Sequence, residues 1–240
     1  MFALTSDEET QLFCIENVIK ALKERNIRPR LTIIGEPTNC EIQTCANGCY
    51  EFKVEVFGKS CHSSRITEGI NSINIISKLI CFIEENQTKY KDLTSNCGII
   101  SGGEVVNKVP SFANLTFDVR SCDLKNVNLF LNDIQDKLSS LEKEYKGCKI
   151  ALTKLLAIPP LQDLKNEFIY SAAKTLSIKI GQFSGGCEAG YYQAYSGDAF
   201  LFGVGNLSLA HKPNEYVVIE DYNSYSNLFK NLLKYMEIRL

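Results

Sequence analysis

The chain of 240 residues has no apolar run near the roughly 20 residues that span a bilayer, and its N-terminus shows no signal-peptide pattern. The expected location is therefore the cytoplasm. It also lacks an excess of one charge: 26 basic and 28 acidic residues, spread through the chain, leave a formal net charge of -2. That balance gives no support for nucleic-acid or anionic-membrane binding through a basic surface. None of its ten cysteines forms a C-x-x-C pair, which disfavours a zinc ribbon. In a reducing compartment most of them read as free, buried, small apolar residues. Histidine is scarce, so any imidazole chemistry must come from His62 or His211.

What is present is a regular alternation of patterns. "MFALTSDEET" opens with Phe2 to Leu4, which read as a short buried strand delivering Asp7, Glu8 and Glu9 to its end. Leu12, Ile15, Ile19 and Leu22 fall at helical spacing over 10–24, and "RLTIIGEPT" reads as a strand stopped by Gly35 and Pro37. In "GCYEFKVEVFG", Tyr50, Phe52, Val54 and Val56 alternate with polar residues, as in a strand with one wet face. Helical spacing returns in Ile70, Ile73, Ile76, Ile80 and Ile83. Strands at "CGIISGGEVV" and "ANLTFDVRS" follow, then a helix carrying Val127, Phe130, Ile134, Leu138, Leu141 and Tyr145, and a strand through "CKIALTKLL". The order β-α-β-β-α-β is the split βαβ, or ferredoxin-like, arrangement. From Leu161 an α/β rhythm resumes: a helix over 165–177, a strand at "IGQF", the turn "SGGCEAGYY", a strand at "DAFLFGVG" and a closing helix. The expected fold is thus α/β, one domain formed by 1–46 and 156–240 and interrupted by an α+β module over 47–155.

Candidate chemistry gathers at strand ends. Glu9 and Glu36 each follow a short apolar strand, where α/β sheets place binding sites, and His211 follows another. Two carboxylates and an imidazole suit Zn²⁺, and Glu8, beside Glu9 but oriented differently, could act as base toward a metal-activated water. Exposed surface acids and unremarkable loop histidines are the other reading of the same residues.

"TSDEET", "IGEPT", "GKSCHSS", "GINSI", "SGGEVVNKVP", "FDVR", "CEAGYY" and "AHKPNEY" occur in one order along essentially the whole chain. In that order and spacing they resemble the zinc amidohydrolase and peptidase family of acetylornithine deacetylase, succinyl-diaminopimelate desuccinylase and aminoacylase. The ending looks most like acetylornithine deacetylase. The resemblance implies a mainly parallel-sheet zinc-peptidase catalytic domain interrupted by a lid or dimerisation domain. It makes Glu8 the general base, Glu9 and His211 ligands of one zinc, and Glu36 a ligand of a second, with Co²⁺ as a substitute metal. His62 matches a lid histidine that reaches across a dimer to polarise the scissile carbonyl. Asn107 and Arg120 match lid positions that hold substrate polar groups, and Glu188 matches a segment lining the substrate pocket.

The same resemblance implies an H-x-D motif and a bridging aspartate upstream of the paired glutamates, and the 240 residues contain neither. The catalytic domain is therefore expected to be incomplete at its N-terminal side, inactive alone or dependent on a separately made N-terminal half. The implied reaction is hydrolysis of an N-acyl amino acid amide, with N-acetylornithine the favoured substrate, in arginine biosynthesis. A desuccinylase-like hydrolase is the second substrate class. A non-catalytic dimerisation or ligand-binding protein is the reading from another class. A homodimer through the edge strand or helix of 48–155 is expected in each.

Overall fold

The computed structural model describes residues 1–6, 13–163 and 165–239. Two units result: Met1–Asn47 with Ile158–Leu240, and Gly48–Ala157.

In the second unit, β3 (Gly48–Phe57), α2 (Ser72–Gln87), β4 (Leu93–Gly102), β5 (Phe112–Ser121), α3 (Leu124–Glu144) and β6 (Lys149–Ile158) follow one another. Their sheet has the order β4-β5-β3-β6. β3 and β5 pair antiparallel from Gly48↔Ser121 to Phe57↔Phe112 without a slip. Period-2 alternation in both strands puts Phe52, Val54, Leu115, Phe117 and Val119 on one face, against Ile76, Leu79, Ile83, Phe130 and Ile134 of the two helices. The Phe52 and Phe117 rings stack there with centroids 5.5 Å apart. Both helices begin on a side-chain cap. Asn71 accepts the Ile73 and Asn74 N–H groups, and Asp123 accepts those of Lys125 and Asn126.

The first unit holds a four-stranded sheet in which β1 (Thr32–Ile34), β8 (Ala199–Leu201), β2 (Ile42–Ala46) and β7 (Ile180–Phe183) lie side by side. β1 pairs parallel with β8, and β2 parallel with β7, while β2 meets β8 antiparallel at Gln43↔Leu201. α4 (Glu167–Thr175) and α6 (Ile219–Arg239) bury Ile169, Ala172 and Leu232 against Ile42, Phe200 and Phe202. Tyr225 and Phe229 of α6 stack with ring centroids 5.7 Å apart, and both lie against Phe202. α1 (Phe13–Glu24) and α5 (Ala189–Ser196) complete the unit. Among the described residues no helix is long and apolar enough to cross a membrane.

The structure corrects four details. Phe2 to Leu4 form no strand, and Phe2 is 85% exposed: among the described residues no strand pairs with them, and an apolar triplet alone cannot make a ladder. β2 is a strand that the pattern conceals, because "IQTCA" is buried on both faces and so shows no alternation. Of "SGGCEAGYY", the part from Ala189 onward is helix α5 rather than turn. Only four of the ten cysteines (Cys45, Cys49, Cys148 and Cys187) are buried, although none of the ten is in a disulfide. Of the half-buried thiols, Cys97 packs at the margin of the second unit's core, where a small residue is tolerated without full burial.

Candidate active site

Glu8 and Glu9 lie outside the described residues. Glu36 is half-buried in the loop that leaves the carboxyl end of β1. Several bonds fasten that loop to the segment leaving β8. The Thr38 hydroxyl accepts the Gly203 N–H at 3.0 Å and donates to the Glu41 carbonyl at 2.7 Å. The Cys40 N–H donates to the Gly203 carbonyl at 2.9 Å and the Asn39 N–H to that of Gly205 at 2.7 Å. Asn39 and Cys40 hold left-handed backbone (φ 55° and 60°) to make these bonds. An isolated bridge between Thr38 and Asn206 continues the contact. Two parallel strands thus end in two loops tied together, the usual place for a site in an α/β sheet.

The second loop runs through the short 3₁₀ turn Leu207–Leu209 to His211. His211 is exposed, with φ 60°, and its N–H donates to the Glu215 carboxylate at 3.2 Å. Glu188 opens α5 and is buried, at 5% exposure. Burial, with the Glu188 carboxylate nearby, pushes the Tyr192 phenol up to about 12. A groove of about 690 Å³ lined by Lys20, Lys23, Arg28, Tyr191 and Tyr195 contains none of the candidate residues.

In the second unit the structure brings His62 and Asn107 together. His62 caps the 3₁₀ helix Ser63–Glu68, bridges to Lys108, and is followed by Ser63, whose N–H donates to the Asn107 carbonyl at 3.0 Å. Its Nδ1 accepts the Ser64 N–H at 3.2 Å and lies 2.8 Å from the Ser64 hydroxyl. Arg120 is elsewhere. It lies near the Ser121 end of β5, roughly 26 Å of strand from Phe112, where the chain from Asn107 enters, at about 3.3 Å per residue. Arg120 sits on the polar face, where its Nε donates to Asp118 at 2.9 Å. That hydrogen bond raises the pKa of the guanidinium further.

A carboxylate and an imidazole on joined loops have the donor chemistry a divalent metal takes. Their number does not suffice. Among the described residues no three His, Cys, Asp or Glu side chains gather closely enough to hold a metal ion. Each unit holds polar groups of its own: a backbone-capping imidazole and a paired guanidinium in the second, a buried carboxylate in the first.

Residues 46–146 match the family model described as a peptidase dimerisation domain. Across 93% of the chain there is 32% identity to an uncharacterised metallohydrolase of Methanocaldococcus jannaschii, of which the match covers 65%. In both comparisons the chain is similar to metal-dependent hydrolases and peptidases. Acetylornithine deacetylases of Pasteurella multocida and of Buchnera aphidicola from Schizaphis graminum are 28% and 25% identical, over 95% and 96% of the chain and 62% of each relative. The fold recurs in a putative aminohydrolase from methicillin-resistant Staphylococcus aureus, with TM-score 0.78 and 16% identity over 94% of this chain and 63% of that one. It recurs too in aminopeptidase PepT of Bacillus cereus, with TM-score 0.75 and 19% identity over 90% of this chain and 60% of that one. The chain therefore spans a little under two thirds of the length of the relatives it matches.

Sequence patterns pass over several residues that hold the candidate residues within each unit. Thr38 and Gly203 fasten the Glu36 loop, and Ser64 fastens His62. The signal for Thr38 was its place after Glu-Pro in a turn; Ser64 carried none beyond its closeness to His62.

Proposed function

We propose that this chain hydrolyses the amide bond of an N-acyl amino acid with a bound divalent metal, Zn²⁺ in the first place. N-acetylornithine is the favoured substrate, which places the reaction in cytoplasmic arginine biosynthesis. The observation that carries the reading is the His62 geometry. With Nδ1 occupied as an acceptor, the neutral ring keeps its proton on Nε2, and the exposed ring can donate to a carbonyl oxygen that gains negative charge during attack. Arg120 is suited to a substrate carboxylate, Asn107 to a polar group beside His62, and Glu188 to a pocket wall. Glu8 is assigned as the base, and Glu9, Glu36 and His211 as metal ligands. Relatives bearing the acetylornithine deacetylase name support the hydrolase class, within which N-acetylornithine is our choice.

The proposal assigns the remaining metal ligands to an N-terminal half, outside these 240 residues, that carries an H-x-D segment. It also assigns a homodimer to the Gly48–Ala157 unit, in keeping with the matched dimerisation domain. The test is an assay for release of acetate from N-acetylornithine with Zn²⁺ or Co²⁺, using the chain alone and mixed with such a half. Turnover in the mixture that Glu8→Gln abolishes is the expected result. Turnover that survives Glu8→Gln overturns the site assignment. Absence of turnover in the mixture overturns this reading in favour of an inactive fragment of a decayed deacetylase gene.

A further inference from the structure

The loop around His62 is built more tightly than an exposed loop requires. Val109 donates its N–H to the Cys61 carbonyl at 2.9 Å, Ser63 donates to Asn107, and Arg65 returns its N–H to the His62 carbonyl at 2.9 Å. Gly69 closes the loop where a Cβ would stand 2.6 Å from Cys61 Sγ and 2.9 Å from the Lys59 carbonyl oxygen. The backbone on both sides of the imidazole is therefore fixed. One residue then addresses the ring itself, twice: Ser64 sets both its N–H and its hydroxyl against Nδ1.

An amide N–H can only donate, so Nδ1 must offer a lone pair, and in the neutral ring the proton must sit on Nε2. The hydroxyl, 2.8 Å away, then donates to the same lone pair. We propose that Ser64 is a positioning residue that holds His62 as the Nε2–H tautomer, so that the ring presents a donor, never a lone pair, to whatever approaches its exposed edge. The proposal rests on the reading of His62 as the group that polarises the scissile carbonyl. With the other tautomer, the Nε2 lone pair would face the oxygen on which negative charge develops, and the interaction would turn repulsive. Serine here adds to the cap. A cap alone needs only the N–H of Ser64, whereas the hydroxyl serves the tautomer.

The chain has just two histidines, which makes the test direct. The 240-residue chain labelled with ¹⁵N-histidine is recorded by long-range ¹H–¹⁵N correlation at alkaline pH, with His211→Gln assigning the two rings. The expected wild-type pattern for His62 has a pyridine-like Nδ1 and a pyrrole-like Nε2. Ser64→Ala, which keeps the N–H, should move the Nδ1 resonance part of the way toward the averaged position of a ring in free exchange. Ser64→Pro, which removes both donors, should move it the whole way, and Ser64→Thr should restore the wild-type pattern. His211 resonances and far-ultraviolet circular dichroism should stay unchanged, which a merely structural effect would not allow. A wild-type ring protonated on Nδ1, or a His62 pattern identical in wild type and Ser64→Ala, overturns the proposal. The proline replacement strains Ser63, so if it does not fold, the alanine variant decides alone. The readout needs no turnover, so a correct tautomer in an inactive mixture sinks the hydrolase reading without touching this one.

Discussion

Glu36 and Gly203 meet backbone to backbone: a Cβ on Gly203 would stand 2.2 Å from the Glu36 carbonyl oxygen. No side-chain rotation relieves such a contact, because the obstructing atom belongs to the main chain. Gly203→Ala should therefore push the Glu36 loop off the end of β8 and destabilise the first unit by about 2–3 kcal/mol. Urea denaturation read by circular dichroism checks this. A variant of wild-type stability would show that the loop moves freely and is not held for a ligand.

Thr38 makes the same contact from the other side. Its buried hydroxyl pairs the Gly203 N–H and the Glu41 carbonyl, so Thr38→Val leaves two backbone groups without that partner. The expected loss is about 1–3 kcal/mol, while Thr38→Ser, which keeps the hydroxyl, loses about 1 kcal/mol or less. Equal losses in the two variants would assign the effect to the methyl group instead.

These two residues mark where sequence reasoning reaches its limit. The second unit was legible because its strands have one wet face and its helices one apolar face; Val127, Phe130, Ile134, Leu138 and Leu141, spaced as a helix, are all buried. β2 was not legible, since burial on both faces erases alternation, and Gln43 and Thr44 look polar although both are buried. The candidate residues could be located by motif, but not the tie between the Glu36 and His211 loops. That tie consists of backbone bonds from Gly203 and Gly205, and a glycine says only that space is short, not what fills it. That Arg120 lies at the far end of β5 from the strand's entry after Asn107 depends likewise on the course of the strand, which spacing along the chain states only after the strand is known.

A pH dependence should come from Asp133. It accepts the Tyr90 hydroxyl at 2.6 Å and the Asn86 amide at 3.0 Å, and these bonds lower its pKa. A carboxyl with a folded pKa below its unfolded value adds stability above the unfolded value, about 3.9, and loses it as pH falls through the lower folded value. The urea midpoint should accordingly fall in that acid window, and Asp133→Asn should flatten that part of the profile. Tyr90 acts with the opposite sign. Burial first, and then the Asp133 bond, push its phenol up to about 12, so its contribution is complete below the unfolded value near 10 and disappears as pH rises toward 12. Tyr90→Phe should remove the alkaline loss and weaken the acid one.

The last prediction concerns association through the second unit. β4 is an edge strand, and past the register shift between Cys97 and Ile99 it is exposed: Ile99 and Ile100 are 63% and 56% exposed, although they point to opposite faces of the sheet. An edge exposed on both faces, with apolar side chains on each, is the kind of surface that another strand or helix covers. It lies within the segment that matches a peptidase dimerisation domain. Ile99→Lys with Ile100→Lys places charge on both faces of the edge and should convert a dimer into a monomer in sedimentation equilibrium. The fold of the unit should persist, because neither residue belongs to its core. If the double variant still sediments as a dimer, the interface lies on another surface of the chain; if the wild type is already a monomer at all concentrations, the edge strand is not an interface between copies.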